Sequence, residues 1–321
     1  MILDVLFIVL GFVLLIKGGD WLVDGSVCIA RRAKLSPMVI GITVIGFGTS
    51  APELFVSLKA ALAQSPGLSI GNVVGSNIAN IALILGATAI IIPCTSKRRT
   101  LRVDLPFMIC SCVALTMVGM SGVVSRLAGI VALLSLLVFT FLEIRHSRRF
   151  VSVENAVGGE EKHIMALWKS LLLVVFSFGL LVVGANVLIK GACDVAREIG
   201  SQIGIDPREL ERIIGLTIVA VGTSLPELFA SVIAARKGRA DMAVGNVIGS
   251  VTFNILCGIG LTSVICPIVG SDKGFFVDYL LMTLLAILLW FFMHTKRLLE
   301  RWEGALLLAI YVAYVSYTVI G

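Results

Sequence analysis

Residues 41–86 read GITVIGFGTSAPELFVSLKAALAQSPGLSIGNVVGSNIANIALILG, and residues 215–260 read GLTIVAVGTSLPELFASVIAARKGRADMAVGNVIGSVTFNILCGIG. Set against each other at a constant offset of 174, with no gap, the two stretches share 20 identities in 46 positions. An ungapped match of that quality is an internal duplication. Each copy lies in strongly apolar surroundings, so the duplicated unit belongs to lipid.

The rest of the chain agrees. Of 321 residues, 58% are hydrophobic and only 14% charged, against roughly 25% charged in an average soluble protein. Apolar runs cover residues 2–30, 37–63, 68–93, 103–120, 124–144, 165–196, 210–235, 240–268, 275–293 and 303–320. Each is long enough for a span of about 20 residues. A polytopic helical protein is the economical solution, because inside lipid a helix satisfies its own backbone polar groups. The first run begins at Ile2 with no basic residue ahead of it and continues into a full span, which favours a transmembrane helix over a cleaved signal peptide.

The expected fold is therefore an all-α polytopic membrane protein, with ten transmembrane helices in two inverted-topology five-helix repeats. Residues 1–145 form the first repeat, 146–164 a cytoplasmic linker and 165–321 the second repeat, all in one transmembrane domain. Five is odd, so the second half enters the membrane from the opposite side. Alternate loops carry 17 Lys and Arg on one side, against Arg126, Arg197, Arg208, Arg212 and Lys273 on the other. By the positive-inside rule the first side is cytoplasmic and both termini face outward. The net charge of +6 thus reflects topology in a cell membrane, not a nucleic-acid partner. The seven cysteines lack a CxxC or Cys/His spacing and read as small core hydrophobes.

The duplicated motifs carry the chemistry. Gly48-Thr49-Ser50-Ala51-Pro52-Glu53 and Gly222-Thr223-Ser224-Leu225-Pro226-Glu227 each place a carboxylate in mid-span, where its burial costs at least about 2.5 kcal/mol. Proline cannot donate to the carbonyl four residues earlier, so each helix should kink or break and expose carbonyl oxygens. Thr49 and Ser50 stand four and three residues before Glu53, on one helical face, as do Thr223 and Ser224 before Glu227. The second motif places Ser76 with Asn80, and Ser250 with Asn254, one turn apart, flanked by Gly71, Gly75, Gly245 and Gly249 that permit close helix approach. The two halves together offer two carboxylates, two amides, several hydroxyls and up to four exposed carbonyls. Such an all-oxygen set suits hard cations such as calcium and sodium rather than zinc or copper.

Each part also has a plain structural explanation. Prolines kink many membrane helices, hydroxyls bond their own preceding turn, and a lone Glu can pair with Lys17, Lys59 or Lys190. Both motifs occurring together in both halves outweigh those explanations. Lys17 with Asp20 and Asp24, and Lys190 with Asp194, are expected to form local pairs along their helices or to snorkel.

With its paired GTS-x-PE and GN-V-x-GS motifs, the sequence resembles the cation/calcium exchanger superfamily, in particular the compact prokaryotic sodium/calcium exchangers. The resemblance spans essentially the whole chain and is most specific over the two repeats. It implies four central cation sites formed by the second, third, seventh and eighth helices, with sodium and calcium bound alternately. It implies Glu53 and Glu227 as calcium ligands, oxygens from Thr49, Ser50, Ser76, Thr223, Ser224 and Ser250, completion by Asn80 and Asn254, and the carbonyls of Gly46 and Ala220. Some members carry Asp where this chain has Asn254, so its centre holds two formal charges at most. The resemblance also implies that the first and sixth helices slide against the rest.

The expected function is sodium/calcium antiport across the cytoplasmic membrane by alternating access, with Ca2+ and Na+ as cargo, no cofactor, and no obligatory protein partner for a monomer in lipid. A proton/calcium antiporter using the same two glutamates is the alternative, since burial favours their protonation. Potassium-dependent exchange and a passive channel fit less well. No GxSxG or HExxH pattern suggests an enzyme.

Overall fold

The computed structural model describes residues 2–154, 165–203, 220–269 and 275–320, together with the single positions 206, 210, 214 and 218. Nearly all of these residues are helical. The elements in chain order are α1 (Ile2–Ala33), α2 (Pro37–Thr49), α3 (Ala51–Leu62), α4 (Pro66–Ile91), α5 (Thr100–Met120), α6 (Arg126–Glu154), α7 (Leu167–Ile203), α8 (Ala220–Thr223), α9 (Leu225–Arg236), α10 (Ala240–Ile265), α11 (Phe276–Lys296) and α12 (Arg301–Ile320). Seven of them, α1, α4, α5, α6, α7, α10 and α11, are long and apolar enough to cross a membrane. The α2–α3 pair makes an eighth span, bent by 44° at its break.

Two helix ends differ from the hydropathy reading. The last part of α6 runs through residues 146–154, which the sequence assigns to the linker, while residues 155–164 lie outside those described. Ser147 explains part of the extension, because its hydroxyl accepts the Ser36 N–H at 2.7 Å and fastens this polar turn to the start of α2. Helix α7 continues past residue 196 to Ile203, with an Asp194–Arg197 ion pair of 3.2 Å across the expected end. The expected span 210–235 is described over α8, α9 and isolated positions.

Burial ranks the helices by role. The apolar stretches of α4 and α10 are each 72% buried, whereas those of α1, α6 and α7 are less than a third buried. A helix that is apolar all round belongs at the centre of the bundle, and one with an apolar outer face belongs against lipid. Leu127, Val131, Leu134, Leu137, Val138 and Phe141 line such an outer face on α6. The equal burial of α4 and α10 follows the duplication, since their bounds differ by 174. Two short antiparallel pairs then tie the halves together. Cys94–Thr95 pairs with Leu298–Leu299, and Val123–Val124 pairs with Ile268–Val269.

Close backbone contact holds α2 to α10. A Cβ on Gly249 would overlap the Ile42 carbonyl, and one on Gly245 would overlap the carbonyl of Met38. Glycine is required there because no side chain fits. On α4, a Cβ on Gly71 would meet the Phe275 ring at 3.2 Å, and one on Gly75 would meet nothing within 4 Å among the described residues. Outside this core, α1 packs along α7, and Gly184 meets Leu14 at 2.9 Å from an added Cβ.

The expected partners along α1 and α7 change: Asp194 pairs locally with Arg197 in place of Lys190, while Asp20, Asp24 and Lys190 make longer-range contacts. Lys237, just after α9, reaches Asp24 at 2.8 Å and Asp20 at 3.2 Å. Lys190 lies over the Phe7 ring at 5.3 Å, a cation–π contact. Each cation thereby bridges two elements rather than one helical turn. Between α5 and α6, Arg99 pairs with Glu143 and stands 4.0 Å from Asp104.

Gly249→Ala is expected to destabilise the fold by about 1–3 kcal/mol, the usual cost of overpacking. Thermal unfolding of the purified protein checks this; an unchanged midpoint would contradict the α2–α10 contact.

Candidate cation site

The two GTS-x-PE motifs form the same local structure. Ser50 joins α2 to α3 with φ −88° and ψ 4°, and Ser224 joins α8 to α9 with φ −91° and ψ 5°. These values lie in the sparsely populated bridge region between helix and strand, where functional residues often sit. Pro52 and Pro226 each occupy the second position of the helix that follows. That position needs no N–H partner, so the proline that interrupts one helix is well placed to start the next. The break expected from sequence is therefore present in both halves.

Glu53 and Glu227 follow one residue later, in the first turns of α3 and α9, and are 2% and 0% exposed. Neither pairs with Lys17, Lys59 or Lys190. Both carboxylate oxygens of Glu53 and the Oε2 of Glu227 are buried with no hydrogen-bond partner among the described residues. Ser50, three residues before Glu53, touches the Glu227 carboxylate, which brings the two acidic groups to one region of the core. Effective desolvation penalties are several kcal/mol per ion even after relaxation. Two adjacent carboxylates in this environment call for cations or protons.

The halves also touch through other predicted residues. The Ser50 hydroxyl donates to Glu227 Oε1 at 3.2 Å, and the Ser250 hydroxyl donates to the Gly46 carbonyl at 3.3 Å. Thr49 donates back to Ile45 O at 3.1 Å. A hydroxyl that has spent its proton on a carbonyl turns its lone pairs outward, so this bond leaves Thr49 fit for a cation. Ser76 and Ser224 are buried, and Asn80 is buried with neither end of its amide bonded among the described residues. Asn254 is buried and donates to Asn77 Oδ1 at 3.3 Å. Thr223 is exposed, unlike buried Thr49, so the two halves do not enclose the centre equally. Ala220 opens α8, and no contact of its carbonyl is described.

Two features escaped the sequence reading. Asn80 and Asn254 stand in widened, π-helical segments, Ala79–Leu85 in α4 and Asn254–Ile259 in α10. Such π-type turns recur at functional sites because they displace side chains from the regular helical face. The second is a repeated clamp. Asn72 Nδ2 donates to the Glu53 carbonyl at 3.0 Å and to Ser57 Oγ at 2.8 Å. Asn246 Nδ2 donates to the Glu227 carbonyl at 3.3 Å and to Ser231 Oγ at 2.8 Å. Each asparagine thus holds the backbone of its glutamate against the neighbouring helix. Identity of all these residues between the two repeats is the signal that could have revealed the clamp.

The sodium/calcium exchanger protein family model matches residues 3–145 and 169–320. This chain belongs to the sodium/calcium exchanger family. Family members include the sodium/calcium exchanger MaX1 of Methanosarcina acetivorans, 32% identical over 97% of both chains. The putative antiporter CaxA of Alkalimonas amylolytica is 33% identical over 98% of both. A solved structure of the sodium-calcium exchanger NCX_Mj, soaked with zero Na+ and Ca2+, matches with a TM-score of 0.81 at 31% identity over 99% of each chain. Membership of the sodium/calcium exchanger family makes the chain a multi-pass membrane transporter and not an enzyme.

Asn72→Ala and Asn246→Ala are each expected to cost about 1–3 kcal/mol of stability, because a buried serine hydroxyl and a glutamate carbonyl lose their donor. Thermal unfolding in detergent reads the loss, and an unchanged midpoint for either variant would contradict the clamp.

Proposed function

We propose that this exchanger-family chain is a secondary-active sodium/calcium antiporter of the cytoplasmic membrane, working by alternating access. The observation that carries the reading is the pair of buried carboxylates, Glu53 and Glu227, set at duplicated helix breaks with three oxygens that lack partners among the described residues. One calcium ion, sodium ions or protons can neutralise such a pair. Competition for the same oxygens then couples the two ion flows, because a charged, unloaded centre resists crossing the low-dielectric barrier while a loaded one does not.

The ligand set includes oxygens from Thr49, Ser50, Ser76, Asn80, Thr223, Ser224, Ser250 and Asn254, with the Gly46 and Ala220 carbonyls beside them. Hydroxyl, amide and carbonyl oxygens around carboxylates suit calcium. The names of the relatives MaX1 and NCX_Mj support sodium and calcium as the exchanged ions. The architecture is ten helices in two inverted five-helix repeats, counting the segment around Ser224 and α12 with the eight spans above. Matched burial of α4 and α10, and strand pairing across the halves, support that symmetry. The charge distribution among loops supports termini on the outer side.

Proton coupling is the second reading, favoured by the same partnerless carboxylate oxygens, which a proton also satisfies.

The test is calcium uptake into proteoliposomes at fixed pH, loaded with sodium or with an impermeant organic cation. Uptake should require the outward sodium gradient, and Glu53→Gln or Glu227→Gln should abolish it while the protein stays folded. Uptake driven by a pH gradient and indifferent to sodium would move the chain to proton coupling, and normal uptake by either glutamine variant would overturn the site.

A further inference from the structure

We infer that Asn77 is a positioning residue that fixes which end of the Asn254 amide faces the cations, and that Met282 sets its direction. The inference rests on the reading of Asn254 as part of the cation site. Three buried side chains form a line from α11 to α10. Asn77 Nδ2 donates to Met282 Sδ at 3.6 Å, and Asn77 Oδ1 accepts from Asn254 Nδ2 at 3.3 Å. Their exposures are 0% for Met282, 0% for Asn77 and 1% for Asn254.

The direction of the line follows from chemistry. A thioether sulfur has lone pairs and no proton, so it can only accept. Only the amine end of Asn77 gains by facing it, and the Asn77 oxygen must then face Asn254. That oxygen is met only by the amine end of Asn254. Asn254 Oδ1 is therefore the end left for other partners. A cation needs that oxygen, since the amine end of an amide carries partial positive charge. Reversing either amide sets acceptor against acceptor in a site with little water to compensate.

The device exists in one half only. Position 251, the counterpart of Asn77 at the offset of 174, is Val251. Asn80, the counterpart of Asn254, correspondingly has neither Nδ2 nor Oδ1 bonded among the described residues, although the residue is only 1% exposed. The centre thus combines a fixed amide oxygen at Asn254 with an adaptable amide at Asn80. An aspartate at position 254 would carry an oxygen at both ends and need no such orientation.

The experiment is equilibrium binding of radioactive calcium to the purified full-length chain in detergent. Asn77→Val, which installs the residue found in the other half, is compared in the unmodified background and in Asn254→Asp. Asn77→Val should weaken calcium binding about tenfold in the unmodified background, the lower end of what loss of a ligand-orienting partner costs. In the Asn254→Asp background the same change should not weaken binding, because a carboxylate has no amide end to orient and the Asn77 oxygen then faces only another acceptor. Met282→Leu, which keeps the packing and removes the acceptor, should repeat the pattern more weakly and carries the comparison if Asn77→Val does not fold. An equal factor in both backgrounds, or no effect in the unmodified one, would overturn the role of Asn77. Absence of calcium binding by the unmodified chain would overturn the reading of the site itself.

Discussion

Two carboxylates held out of water within reach of each other dominate the energetics of this molecule. A single buried charge without a partner costs several kcal/mol, and single-domain stabilities are typically only about 5–15 kcal/mol. Glu53 and Glu227 are tolerable only where a counter-charge or a proton can join them. The surrounding architecture meets that requirement. Broken helices bring polar backbone to the centre, where irregular structure is permitted because it is buried in protein rather than facing lipid. Asparagine clamps then fix the backbone of each glutamate against its neighbour, and glycine contacts press α2 onto α10. The outer helices cover this polar centre, with α1 and α7 packed on one another and joined to the rest by Lys237, Phe178 at Gly48 and Ile189 at Gly222.

Duplication supplies the scaffold, and departures from it supply the differences between the halves. The serine breaks have nearly the same dihedral angles, and the Asn72 and Asn246 clamps repeat contact for contact. Around the centre the match fails at particular residues. Thr49 is buried and Thr223 exposed, Asn254 is bonded while Asn80 has no partner among the described residues, and Asn77 has Val251 as its counterpart. A symmetric pair of sites would bind each ion alike. Unequal surroundings give the two halves different oxygen environments around the proposed centre.

Much of this was legible in the sequence because membrane helices write their constraints strongly. Apolar runs marked the spans, the offset of 174 marked the duplication, and Pro52 and Pro226 marked the breaks. What escaped depends on distance in the chain. Lys237 pairs with Asp20 and Asp24 across more than 200 positions, so spacing along α1 suggested local pairs that do not form. The end of α6 extends through charged residues because Ser36, just before α2, donates its N–H to Ser147. Widened turns at Asn80 and Asn254 have no periodic signature, since a single extra residue per turn is lost in a uniformly apolar pattern. Asn72 and Asn246 were visible as identities, but only folding shows which carbonyl they hold.

The proposed antiport requires sodium and calcium to exclude one another from one centre. The direct measurement is calcium bound to the purified chain at constant ionic strength while sodium replaces an organic cation. The account predicts steep, complete displacement of calcium by sodium and none by the organic cation. Calcium that stays bound at saturating sodium would contradict it.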